Sequence, residues 1–277
     1  IIIPESIQNY SWKKSMKWSN YDLNWGRPLR SIIALFESKV VNFNLHHLKS
    51  SNFTFLGEAD VEKLKKVSNY SSYNNALKSK NIILDQDKRK EIILKKFNLI
   101  CDSKKFDNNF NEKLIEEVVN LIENPNIIIC KFNEIFLKIP KEILIITMQK
   151  HQRYFPLFEK DKKLSNLFLL VSNMPDTKGY IKIGNQRVIE ARFSDASFFW
   201  NKNKKQNLVK QVSKLKNLSF FNELGTFYDR TQRLKKLANL ISGQLNINKE
   251  KVEITSSICK ADLISDLVGE YPELQGV

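Results

Sequence analysis

Residues 109–132, NFNEKLIEEVVNLIENPNIIICKF, change periodicity within one dipeptide, and that change limits what the chain can fold into. Leu114, Val118, Leu121 and Ile122 recur at offsets of four, seven and eight, one face of a helix, which Asn124-Pro125 must end. The apolar run after it, NIIICKF, is rich in β-branched residues and reads as a buried strand. Pro140 then opens a second helix at the position proline favours, with Ile143, Leu144, Thr147 and Met148 along it. Two further strand-like runs, YFPLFEK and NLFLLVSN, flank the polar turn KDKK. Helix and strand entering one core make the fold class α+β.

The flanking regions differ. Residues 1–50 mix short apolar runs (IIIP, SIIALFESKVVNFNL) with Gly-Pro punctuation and read as strands, whereas 58–100 read as helix, loop and helix. From Gly184 the pattern is helical, with Ile189, Phe193, Ala196 and Trp200 on one face. Helices are also expected at LVKQVSKL, TQRLKKLANLISGQL and ITSSICKADLISDLVGE, and the domain boundary is placed near 200–206. At 277 residues, two domains are expected: 1–205 and 206–277. The chain opens without Met and stops just after an apolar helical pattern, so it is expected to be an internal piece of a longer polypeptide.

The formal charge is 45 − 30 = +15, which fits a polyanionic partner. A second account competes with it: only eight of the cations are Arg, and a Lys-, Ile- and Asn-rich composition is also what drift in an A/T-rich genome produces. Six lysines (202, 204, 205, 210, 214 and 216) lie between Asp195 and Glu223 with no acid among them. Cys101, Cys130 and Cys259 are odd in number and widely spaced, so no disulfide framework or zinc knuckle is indicated, and a reducing compartment fits. No apolar run approaches the roughly 18–20 residues of a membrane span, and no signal-peptide pattern is present.

Chemistry-bearing motifs are sparse. Neither GxxxxGK[ST] nor GxGxxG occurs, a nucleophile elbow is missing, and the adjacent His46 and His47 belong to no HxxxH or HExxH pattern. Glu116 and Glu117 lie on the amphipathic helix and read as a solvated face. No catalytic residue and no metal ligand is assigned. Three stretches carry polar residues that packing alone explains poorly: MQKHQRYFPLF, GNQRVIEARFSDASFF and GEYPELQG. In the first, Lys150, His151, Gln152, Arg153 and Tyr154 combine cations with an aromatic face, suited to phosphates and unpaired bases. The alternative is that Tyr154, Phe155 and Phe158 start a strand while the cations face water. In the second, Asn185, Arg187 and Arg192 are candidates for the same contacts, unless the arginines pair locally with Glu190 or Asp195. In the third, Glu270, Tyr271, Glu273 and Gln275 are candidates for an interface.

Read in order, IPESI, KSMKW, RPLRSIIAL, the run from LIENP to YFPLF, VSNMPD, GNQRVIEARFSDASFFW, LGTFYDRTQRL and KADLISDLVGEYPELQG resemble the blocks of the β subunit of the bacterial heterotetrameric glycyl-tRNA synthetase. The resemblance implies a fragment lacking the subunit's start and its long C-terminal part with the anticodon-binding region. It implies an α/β domain resembling the B3/B4 domain of phenylalanyl-tRNA synthetase, then an all-helical HD-like domain. It also implies cytoplasmic work in an α2β2 heterotetramer, as a non-catalytic, tRNA-handling chain supporting ATP-dependent glycylation of tRNA(Gly). ATP, Mg and glycine are then expected in the α subunit, with no cofactor in this chain and no membrane contact.

Two departures from the family pattern stand out. HD phosphohydrolases hold metal through histidines and a His-Asp pair, but no His follows His151, and KADL with Asp262 stands where that pair is expected. The family's Gly-His-Arg-Phe turn is represented in SSNFTFLGEADV by Gly57 alone. Besides tRNA handling, the alternative reading is a subunit-bridging scaffold without tRNA contact. A third, an editing or metal-hydrolase activity, would need a stoichiometric transition metal.

Overall fold

The computed structural model describes residues 2–56 and 64–277, so the expected turn at Gly57 lies outside the described residues. Two compact units divide the chain: residues 1–92 with 119–125, and residues 93–118 with 126–277. Mixed α and β structure runs through the chain, consistent with the α+β class.

The first unit opens with α1 (Ile2–Gln8), followed by β1 (Ile32–Ile33), β2 (Leu35–Phe36), β3 (Lys39–Val40), β4 (Asn44–Leu45), β5 (Leu48–Ser51), β6 (Phe53–Phe55), β7 (Leu64–Lys66) and α2 (Tyr70–Lys78). Within the run IIIP, read as a strand, Ile2, Ile3 and Pro4 are therefore helical: Pro4 sits in the first turn, where its missing N–H costs no intrahelical bond. Strand β5 pairs parallel to β1 and antiparallel to β4. The buried Ser50 hydroxyl accepts the Phe43 N–H at 2.8 Å and donates to the Val41 carbonyl at 2.7 Å, holding the bend between them. Leu56, Val67, Ala76 and Leu77 form a small core, and α2 begins at a capping box made by Asn69 and Ser72.

The second unit is organised by an antiparallel sheet. Two helices, α3 (Gln86–Lys104) and α4 (Glu112–Leu121), precede β8 (Asn126–Lys131), and α5 (Lys141–Ile146) precedes β9 (Phe155–Phe158) and β10 (Leu164–Ser172). The order is β8-β10-β9. Because side chains alternate across a strand, the two sheet faces are distinct. Phe155 meets Phe97 of α3 at 4.8 Å and Phe110 at 6.1 Å on one face. On the other, Ile128, Cys130, Phe168 and Leu170 share a core with Ile143, Leu144 and Met148.

Helix α6 (Tyr180–Lys204) completes that core with Ile189, Phe193 and Ala196, three of the four residues expected on its inner face; Trp200 packs at the margin. The buried residues of α4 include Leu114 and Val118 but also Ile115 and Val119, and Leu121 is exposed. The helix stops at Leu121, so the apolar periodicity ran past the element that needed it.

After α7 (Leu208–Gln211), a hairpin of β11 (Ser219–Phe221) and β12 (Gly225–Thr226) interrupts the region expected to be all helical. Gly225 at φ +77° makes the turn, and an added Cβ would lie 2.5 Å from Asp229 Oδ2. That carboxylate belongs to the capping box by which Thr226 starts α8 (Phe227–Gln244). Helices α9 (Lys249–Ile258) and α10 (Asp266–Glu270) follow. Leu267, Tyr271 and Leu274 enter the same core as Phe193, so residues on both sides of the expected 205/206 boundary share one unit.

Asp266 ties the two sides of that position. Its carboxylate meets Lys202 Nζ and accepts from Gln206 Nε2, both at 3.1 Å. Chiefly the Lys202 hydrogen bond, opposed by desolvation and helped by Gln206 and the charges of Lys202 and Lys214, holds its pKa below the ordinary 3.8. A depressed folded pKa means this contribution is present above 3.8 and is lost as the pH falls through the lower folded value. Asp266→Asn is expected to be less stable than the parent near neutral pH and equal to it at strongly acid pH, as read by urea unfolding at both.

Candidate functional site

The three polar stretches meet in the second unit. Helix α5 runs into a π-helical turn, Thr147–His151, in which the buried Thr147 hydroxyl donates to the Ile143 carbonyl at 2.8 Å. The turn ends in Gln152 and Arg153, and Arg153 takes φ +59°, a left-handed conformation uncommon outside glycine, before the Tyr154 N–H bonds back to the Met148 carbonyl at 2.9 Å. Consecutive side chains are thereby sent in different directions. Lys150 and His151 are exposed, Gln152 and Arg153 are half-buried, and Tyr154 is buried.

Tyr154 does not offer a stacking face. Its ring lies 4.8 Å from Phe168 in the core, and its hydroxyl donates to Asn185 Oδ1 of α6, whose Nδ2 donates to the Ile181 carbonyl at 2.7 Å. Burial pushes the Tyr154 pKa up to about 12, with Cys130 adding to the rise, and burial pushes the Cys130 thiol up to about 12 as well. Both groups stay protonated near neutral pH and act as packing.

His151 stacks on Tyr271 with ring centroids 5.4 Å apart and planes 3° from parallel, and its Nε2 lies 3.9 Å from Glu273 Oε2. Tyr271 is itself buried, and its hydroxyl donates to the Arg192 carbonyl at 3.5 Å. Thus MQKHQRYF touches GNQRVIEAR through Tyr154 and Asn185, and touches GEYPELQG through His151, while Tyr271 reaches α6. The side chains of Arg187 and Arg192 are exposed, and among the described residues neither pairs with Glu190 or Asp195. Glu270, Glu273 and Gln275 are exposed beside the buried Tyr271.

Three working residues escaped the sequence reading. Glu117, taken for part of a solvated face, accepts from Arg153 Nε at 2.6 Å and fixes that guanidinium. Gln186 and Glu190, one turn apart on α6, accept the N–H groups of Lys131 and Asn133 at 3.1 and 3.0 Å. They close the outer edge of β8 at its C-terminal end, which an edge strand requires. Their i, i+4 spacing was visible, but not the strand it would meet. Asp262, expected near a lost metal pair, accepts the Gly276 N–H at 2.9 Å. Among the described residues no group of His, Cys, Asp or Glu side chains is arranged to hold a metal ion. No helix there is long and apolar enough to cross a membrane.

The family model for the glycyl-tRNA synthetase beta subunit matches residues 1–277. The chain belongs to that family. Among glycyl-tRNA synthetase β subunits it is similar to the glycine–tRNA ligase beta subunit of Clostridioides difficile (strain 630), at 40% identity over 99% of this chain and 40% of the relative. The corresponding proteins of Rickettsia akari (strain Hartford), at 35% identity, and Syntrophomonas wolfei subsp. wolfei, at 37%, match 100% and 98% of the chain and 41% and 40% of their own lengths. The chain thus spans about two fifths of the glycyl-tRNA synthetase β subunits it matches.

Proposed function

We propose that this chain is the non-catalytic, tRNA-handling part of the β subunit of a glycine–tRNA ligase. It supports glycylation of tRNA(Gly) by a separate α subunit that binds ATP, Mg and glycine, within a cytoplasmic α2β2 assembly. The fragment alone carries no ligase activity. Family membership over the whole chain supports the reading, and one observation carries it: Tyr154, Cys130 and Tyr271 are committed to packing, while Lys150, Arg187 and Arg192 extend into solvent from segments tied together through Tyr154 and Tyr271. A rigid base that presents cations suits phosphate contact. The same reading assigns 1–205 as B3/B4-like and 206–277 as HD-like, with the core around Phe193 running across that position and helix predominating around the β11–β12 hairpin after it.

The contacts are testable in the full-length β subunit. Lys150→Ala with Arg187→Ala is expected to weaken tRNA(Gly) binding and to lower the salt slope by about 0.9 for each duplex phosphate no longer neutralised. Binding measured across a salt series decides it, and a slope equal to the parent's removes the assignment. The scaffold reading has its own support in Tyr180, Ile183, Val188 and Phe198, apolar and exposed on α6. It would be preferred if the β subunit bound the α subunit and showed no tRNA affinity at low salt.

A further inference from the structure

The first unit carries a second surface of a different kind. Residues 10–30, YSWKKSMKWSNYDLNWGRPLR, hold five aromatic residues, five cations and one acid, with three of the chain's four tryptophans. In a folded chain such a run is ordinarily core, yet most of this one faces solvent: Tyr10 is 62% exposed, Trp12 37% and Tyr21 39%. The segment is nevertheless held in place. Met16 and Trp25 exchange backbone hydrogen bonds at 2.9 and 3.2 Å, and Leu23 is buried beneath the loop they close.

On that frame the rings form two groups. Trp12 lies 4.6 Å from both Tyr10 and Trp25, at interplanar angles of 61° and 58°, so the three are splayed. Tyr21 stacks on His47 at 3.4 Å, and Trp18 meets His47 edge-on at 5.8 Å. Lys13, Lys14 and Arg27 are exposed and have no ion-pair partner among the described residues; the acid, Asp22, is taken by Lys17 at 3.2 Å.

We infer that residues 10–30 form a binding surface for unpaired RNA, with bases stacking on Tyr10 and Trp12 and phosphates meeting Lys13, Lys14 and Arg27. Exposed aromatic rings interleaved with unpaired cations are what single-strand binding uses: every base has a π-face, and each phosphate contact releases counterions. The charge complementarity selects a polyanion, and the rings select one whose bases are accessible. A protein partner would need acidic residues to answer the same cations. The inference is independent of the tRNA-handling assignment at Lys150 and Arg187, being built on other residues in the other unit.

The test uses the full-length β subunit and a fluorescein-labelled oligoadenylate RNA of about ten nucleotides, within the usual range of single-strand site sizes. Anisotropy is read over a salt series, with tryptophan emission followed in parallel. Tyr10→Ala with Trp12→Ala is expected to weaken binding at least about tenfold with an unchanged salt slope, because both stacking rings are lost and no phosphate contact is. Lys13→Ala with Lys14→Ala is expected to lower the slope by about 1.4, two phosphates at about 0.7 each for a single strand. Tryptophan emission in the parent is expected to be quenched on binding. Tyr10→Ala alone, at an exposed position, is the version that keeps the fold and still weakens binding. Parent-like affinity in both double variants overturns the inference, and so does a lysine effect without an aromatic one. Intact RNA binding with failed capture of the α subunit overturns it in favour of a protein surface. Glycine charging is not the readout, so failure of the synthetase reading and failure of this one are separable.

Discussion

Phe193→Ala is expected to destabilise the second unit by about 3–5 kcal/mol, the cost of truncating a fully buried aromatic side chain. Phe193 is 0% exposed and lies 4.9 Å from Phe132, at 84° between planes, and 5.6 Å from Phe136. Its position on α6 is where the helix meets both the end of β8 and the segment that follows, so the vacated space cannot be filled by a single rotamer change. Aromatic pairs of this edge-to-face kind add about 0.5–1.5 kcal/mol beyond their buried area. Urea unfolding is the measurement: the midpoint should fall while the slope with denaturant stays constant. A loss below about 1 kcal/mol would mean that α6 is not anchored where the packing places it.

Tyr271→Ala should be nearly as costly, roughly 3–5 kcal/mol by the same cavity argument, whereas Tyr271→Phe should cost only about 0.5–1.5 kcal/mol. The contrast follows from what the residue does. The ring is 2% exposed, supports the His151 imidazole, and packs in the core with Leu267 and Leu274; the hydroxyl makes a long bond to the Arg192 carbonyl and lies in hydrogen-bonding range of the Thr147 side chain. Comparing the two variants therefore separates packing from hydrogen bonding. If the Phe variant proved as damaging as the Ala variant, the hydroxyl, not the ring, would be joining the C-terminal residues to α6.

The sequence was most readable where local pattern and tertiary burial agree. The break at Asn124-Pro125, the apolar run of β8 and the inner face of α6 all meet that condition, since a period of 3.6 or a β-branched run needs only a core to satisfy it. IIIP misled because β-branched propensity is weak beside context: Ile2 and Ile3 are exposed in a short helix and pack into no sheet. The β11–β12 hairpin was hidden because its turn depends on positive φ at Glu223 and Gly225, and its strands are only three and two residues long.

At the candidate site, composition drew attention to stretches that the fold brings into contact, but not to the direction of each side chain. Tyr154 looked like a ligand platform because it sits among cations. The π-turn and the left-handed Arg153 turn it inward, and no sequence period encodes either. The pairing of Arg153 with Glu117, 36 positions away, was equally invisible, because only the tertiary fold brings α4 beside the turn that follows α5. The aromatic run at 10–30 is the converse case, a pattern that resembles core and is left largely in water.

The most direct measurement is glycine attachment to tRNA(Gly) by the full-length β subunit with and without its α partner. On the proposed division of labour, charging is expected in the mixture and none by the β subunit alone. Charging by the β subunit alone, or none in a mixture with an α subunit verified as active, would contradict it.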